Sequence, residues 1–90
     1  LTEKRFKAWF EKCSYPYDLK FEAVTLRISN RRYTADWAAF TSEHRLMLLE
    51  VKGRHKWEDS LVKFDLFKAA FPEIEFRMYD EQDGQWRQIS

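Results

Sequence analysis

The run Leu46-Met47-Leu48-Leu49-Glu50-Val51 constrains this chain most. It is short, almost wholly apolar and closed sharply by Gly53, so it reads as a central strand buried on both faces of a sheet. Lys52 follows Glu50 by two positions. Side chains two apart on a strand project from the same face, so Glu50 and Lys52 share one side while Val51 takes the other.

The remaining elements arrange themselves around that strand. Phe6, Trp9, Phe10 and Cys13 recur at helical spacing and predict an opening helix, which Ser14-Tyr15-Pro16-Tyr17-Asp18 interrupts. Phe21 to Ile28 favours strand, with Val24, Leu26 and Ile28 alternating and Phe21 and Ala23 in the opposite phase, a slip that a bulge would explain. Ser29-Asn30-Arg31 has turn chemistry, and Tyr33, Ala35 and Trp37 alternate against Thr34 and Asp36 as a second strand, completing a hairpin. Thr41-Ser42-Glu43-His44 reads as the next turn. Asp59 or Ser60 can cap a second helix whose Leu61, Val62, Phe64, Leu66, Phe67, Ala70 and Phe71 cover much of its circumference, so it is expected to be largely buried before Pro72 stops it. Ile74, Phe76 and Met78 then alternate, Asp83-Gly84 offers a tight turn, and Trp86 to Ile89 returns as a short edge strand. The predicted class is α/β with a mixed α+β sheet, in the order α-β-β-β-α-β(-β), as one domain over 1–90.

Composition excludes several alternatives. The chain is 44% hydrophobic and 18% aromatic with only two glycines and two prolines, which rules out disordered and low-complexity classes. Sixteen basic against fifteen acidic residues give +1, so any nucleic-acid-binding surface has to be local. Cys13 is the only cysteine, which excludes an intrachain disulfide and favours a cytoplasmic, intracellular setting. No apolar run approaches a membrane span, and charges fill Leu1 to Lys12 where a signal sequence would be oily, so no membrane association is expected. Leu1 rather than Met suggests that a short segment precedes it.

Asp36 ends the second predicted strand. If that strand pairs with the third, its carboxylate reaches Glu50, and two carboxylates there suit Mg²⁺ or Mn²⁺, hard cations that take oxygen ligands and accept phosphate oxygens from a substrate. The Val51 backbone carbonyl could add a further oxygen. Lys52 would orient or deprotonate the attacking water and offset charge developing on the transition state. A Glu-x-Lys alone arises by chance in roughly a third of chains of this length. Taken separately, Asp36 is as readily a solvated strand-end carboxylate, and Glu50 with Lys52 a surface ion pair. The combination at the ends of two adjacent strands favours a phosphodiesterase. Arg54, His55 and Lys56 form a basic loop that could meet phosphates or could be a solvated turn. His44 and His55 lack partners at zinc-site spacing. No dinucleotide fingerprint or phosphate-binding glycine loop is present, so no organic cofactor is expected.

Tyr33-Thr34-Ala35-Asp36, Leu49-Glu50-Val51-Lys52-Gly53, Trp57-Glu58-Asp59 leading into a helix with Lys63, and Ala69-Ala70-Phe71-Pro72 together resemble the PD-(D/E)XK nuclease superfamily, particularly small phage endonucleases and junction resolvases. The resemblance covers most of the chain and is closest from Tyr33 to Phe76. It implies a restriction-endonuclease-like core with Asp36 and Glu50 as metal ligands and Lys52 as the catalytic lysine. Ala35 stands where proline commonly precedes the aspartate, but the carboxylate does the coordination. Many members place a glutamate on the first helix, and Glu3 is the candidate here, sharing a helix face with Phe6, Lys7 and Phe10. An acid in the first turn also stabilises a helix through its dipole. Lys63 could reach back toward the site or merely snorkel from an apolar helix. The resemblance thus implies a Mg²⁺- or Mn²⁺-dependent DNA endonuclease of phage or prophage type. Because specific DNA interfaces usually bury upward of about 1,000 Å² of protein, so small a domain is expected to act as a homodimer. The alternative is a catalytically inactive module of the same fold that binds nucleic acid or a protein partner.

Overall fold

The computed structural model describes residues 2–13, 17–41, 43–52, 58–83 and 85–90, with side chains described for all of these except 2, 3 and 58–60. The elements are α1 (Thr2–Cys13), β1 (Lys20–Phe21), β2 (Thr25–Ile28), β3 (Arg31–Thr34), β4 (Trp37–Phe40), β5 (Leu46–Lys52), α2 (Glu58–Ala70), β6 (Glu75–Gln82) and β7 (Gln85–Gln88). The fold is mixed α+β. Five strands form one sheet in the order β1-β4-β5-β6-β7, and β2 and β3 form a separate hairpin. The central strand β5 is antiparallel to β4 and parallel to β6, to which α2 provides the crossover.

Alternation along β5 divides the interior into two halves. Met47, Leu49 and Val51 pack with Phe6 and Phe10 of α1. Leu48 packs on the other face with Phe64 and Phe67 of α2, Tyr33 of the hairpin, and Phe76 and Met78 of β6. The sheet is therefore covered by α1 on one side and by α2 with the hairpin on the other. Glu50 and Lys52 are in phase with Leu48, and Asp80 with Phe76 and Met78, so all three point to the α2 side.

The strands before β5 differ from the sequence expectation, with four where two were predicted. Each of the first two predicted strands is broken. The Phe21 to Ile28 stretch breaks at Glu22, which adopts φ 46°, and the Tyr33 to Trp37 stretch breaks at Asp36. The breaks are joined, because the Glu22 N–H donates to the Asp36 carbonyl at 2.9 Å. Beyond this bond the chain leaves the sheet as the β2–β3 hairpin, whose Leu26, Ile28 and Tyr33 fold over the Phe64, Phe67 and Phe76 cluster. The phase slip is thus a change of direction, not a bulge within one strand.

The second helix is less covered than its composition suggests. Phe64 and Phe67 are fully buried, but Val62 is 63% exposed and Ala69 and Ala70 face solvent, since only one stripe of a helix can meet a sheet. Strand β6 also runs past Met78, the last of the alternating apolar positions, to Gln82. Asp83 takes φ 52° in the two-residue turn between the paired Gln82 and Gln85. In urea unfolding, Phe67→Ala should cost about 3–5 kcal/mol through the cavity it leaves, whereas Val62→Ala should fall within about 0.5 kcal/mol of the parent.

Candidate metal centre at the end of the central strand

The bend at Asp36 creates a local shortage that its own side chain fills. Trp37 pairs with Leu49, so continued pairing would bring Ala35 opposite Val51, but the chain has by then turned out into the hairpin. The Val51 N–H instead donates to Asp36 Oδ2 at 2.8 Å. A backbone N–H shut away from water costs free energy when unpaired, so this bond fixes the carboxylate against β5. A residue's N–H and C=O share one edge of an antiparallel ladder, which turns the Val51 carbonyl toward the Asp36 side as well.

Glu50 is 8% exposed and is held from two directions. The Tyr33 hydroxyl donates to Oε1 at 2.7 Å, and Lys52 Nζ donates to Oε2 at 3.0 Å. Lys52 is equally buried. Removing such a pair from water costs several kcal/mol per ion, which favourable geometry and the tyrosine bond partly offset. Burial raises the Tyr33 phenol pKa far above its ordinary value, and the charge of Glu50, the hydrogen bond to it and the charge of Asp36 push in the same direction. Tyr33 itself is oriented by stacking on Phe67 at 5.5 Å between ring centroids.

Asp80 stands beside this group. It is the register partner of Lys52 on the neighbouring parallel strand, is buried, and among the described residues its Oδ1 has no hydrogen bond, with Arg87 Nε paired to it at 3.6 Å. Neither Tyr33 nor Asp80 was singled out from the sequence. Tyr33 sat inside the resembling motif but served there only as a strand residue, and Asp80 lay just past the last alternating apolar position of β6.

At the end of β5, therefore, Asp36 is bonded to the Val51 backbone, and Glu50 and Lys52 are bonded to each other on the α2 side of the sheet. The Glu3 side chain, Arg54, His55, Lys56 and Trp57 lie outside what is described. Lys63 is exposed on α2 and, among the described residues, makes no hydrogen bond or ion pair to Glu50 or Lys52. No group of three or more acids, histidines or cysteines among the described residues is arranged to hold a metal ion. Two carboxylates do not make the all-protein cage of a structural zinc or calcium site. They do fit Mg²⁺, which is held by one or two carboxylates with water and substrate phosphate completing its shell. Glu50 accepts two bonds of the roughly four that an ionised carboxylate can accept, so it retains capacity for a cation.

The chain matches no protein-family model, no curated protein and no solved structure. No helix among the described residues is long and apolar enough to cross a membrane.

Because folding raises the Tyr33 pKa, the folded chain keeps a proton that the unfolded chain releases above about pH 10. The stability that this phenol contributes is thus complete below that pH and is lost as pH rises. Tyr33→Phe, which removes a hydrogen bond to a charged group, should cost about 1.5–3 kcal/mol at neutral pH. That gap should narrow above pH 10, and the parent-minus-variant absorbance titration should show no tyrosinate signal until the chain unfolds. A tyrosinate step from Tyr33 in the folded state would contradict this.

Proposed function

We propose that the protein is a Mg²⁺- or Mn²⁺-dependent endodeoxyribonuclease with a restriction-endonuclease-like core, hydrolysing phosphodiester bonds by direct attack of water. The reading is supported chiefly by the placement of Asp36, Glu50 and Lys52 at the end of the central strand, with Asp36 bonded to the Val51 N–H at 2.8 Å and Glu50 to Lys52 at 3.0 Å. Asp36 and Glu50 hold the cation, and Tyr33 keeps Glu50 from rotating away. When bound, the ion polarises the phosphoryl oxygen and activates water at neutral pH. Lys52, the counter-ion of Glu50 in this structure, is placed to orient the attacking water and to stabilise charge on the phosphate. A homodimer would set two such sites against the two strands of a duplex and enlarge the surface that grips it. The closed Tyr33–Glu50–Lys52 network, which is satisfied without an ion, favours the second reading: a non-catalytic module that binds nucleic acid or a protein.

Nicking of supercoiled plasmid separates the two. Asp36→Asn keeps an amide oxygen for the Val51 N–H but removes the charge, so it should fold and lose activity by about 100-fold or more. Lys52→Met alone strands the buried Glu50 charge at about 3–5 kcal/mol, whereas Glu50→Gln with Lys52→Met removes both charges and restores folding without activity. Cleavage by the parent should require Mg²⁺ or Mn²⁺ and stop in EDTA. Equal rates for parent and Asp36→Asn would overturn the assignment, and a parent that never cleaves would favour the binding module.

A further inference from the structure

We propose that the outward face of the β2–β3 hairpin is a phosphate-binding arm for duplex DNA, with Arg27 and Arg32 as its cations; Arg31, the register partner of Ile28, belongs to the opposite face. The inference rests on the nuclease reading for the identity of the polyanion. From Ala23 to Ala35 the chain carries three arginines and no other charged residue, so in a protein of net charge +1 everything outside the hairpin sums to −2. Positive charge is concentrated on this element.

The other arginines among the described residues are engaged. Arg5 bonds Glu81, Arg77 bonds Glu75, Arg87 pairs with Asp80, and Arg45 donates to the carbonyls of Pro72 and Glu73. Arg27, Arg31 and Arg32 are exposed and, among the described residues, have no acidic partner. Arg27 and Arg32 are also direct register partners. Like charges opposite one another on a strand pair destabilise it, so folding gives no reason for the pairing, whereas an anion bridging both guanidinium groups does.

The hairpin is suited to present that anion to the candidate metal centre. Its Leu26–Tyr33 pair faces the interior, and Tyr33 bonds Glu50, so the arm is braced against the site. Its outward face continues from Arg27 and Arg32 to the exposed Thr25 and Thr34, whose hydroxyls lie 2.6 Å apart and can also donate to phosphate. Arg32 precedes Asp36 by four residues, at most about 13 Å of chain, which at about 3.4 Å per nucleotide brings a phosphate within about four nucleotides of the scissile one into reach. A two-stranded ribbon also fits a duplex groove. The outward face has no apolar side chain to enter a lipid surface, which separates it from a membrane-binding patch.

The test is fluorescence anisotropy with a 20-base-pair duplex in EDTA, so that binding is read without cleavage, across about 50–200 mM salt. Arg27→Gln/Arg32→Gln should lower the slope of log affinity against log salt by about two, one per arginine. Arg27→Lys/Arg32→Lys should keep the parent slope, and Lys4→Gln/Lys12→Gln, which removes exposed charge from α1, should leave it unchanged. An unchanged slope in the glutamine double variant, an equal fall in the α1 control, or a parent that binds phosphatidylserine vesicles but not duplex would overturn the proposal. The nuclease reading fails separately: a parent that binds through the arm yet never nicks plasmid sinks catalysis alone, and an active parent with an unchanged slope sinks the arm alone.

Discussion

Asp36 joins the two parts of this molecule through opposite ends of one residue. Its carbonyl accepts the Glu22 N–H and closes the neck of the β2–β3 hairpin, and its carboxylate accepts the Val51 N–H and replaces the backbone partner that the bend removes. The hairpin can leave the sheet only because the vacated ladder position on β5 is filled in this way. The same bond fixes a carboxylate against the residue that follows Glu50, so under the proposed function one side chain would serve both the fold's hydrogen bond and the cation.

Glu50 and Lys52 carry the complementary cost. Two charges at the end of a central strand would be expensive alone, and they persist because they face each other and because Tyr33 satisfies the remaining oxygen. Well-packed apolar residues would serve stability at least as well. Asp80 stands in register beside Lys52, so a second acid is buried next to this pair. The hairpin's Arg27 and Arg32, which have no acidic partner among the described residues, likewise set like charges opposite one another.

Much of this was legible from residue pattern alone. The apolar run ending in Glu50-Val51-Lys52 specified a central strand with Glu50 and Lys52 on one face, and Phe6 with Phe10 specified the helix that covers the other. The broken strands were not legible, because Tyr33, Ala35 and Trp37 alternate without interruption while the chain turns at Asp36. Tyr33 and Ala35 enter the half of the core that α2 covers, and Trp37 enters the half that α1 covers. Alternation reports that a side chain is buried, not which face of the sheet buries it. Val62 shows the reverse limit: an apolar residue on a helix can remain in water when the sheet beneath is already covered. Asp80 was hidden because its meaning lies in register with Lys52, which is a property of the sheet and not of the local sequence.

The most direct measurement is paramagnetic line broadening of backbone amides in ¹⁵N-labelled protein titrated with substoichiometric Mn²⁺. Broadening is expected to begin at Asp36, Glu50 and Val51 and to disappear from all three in Asp36→Asn while that variant's spectrum stays folded. Broadening centred elsewhere, or unchanged by Asp36→Asn, would contradict a cation site built from Asp36 and Glu50.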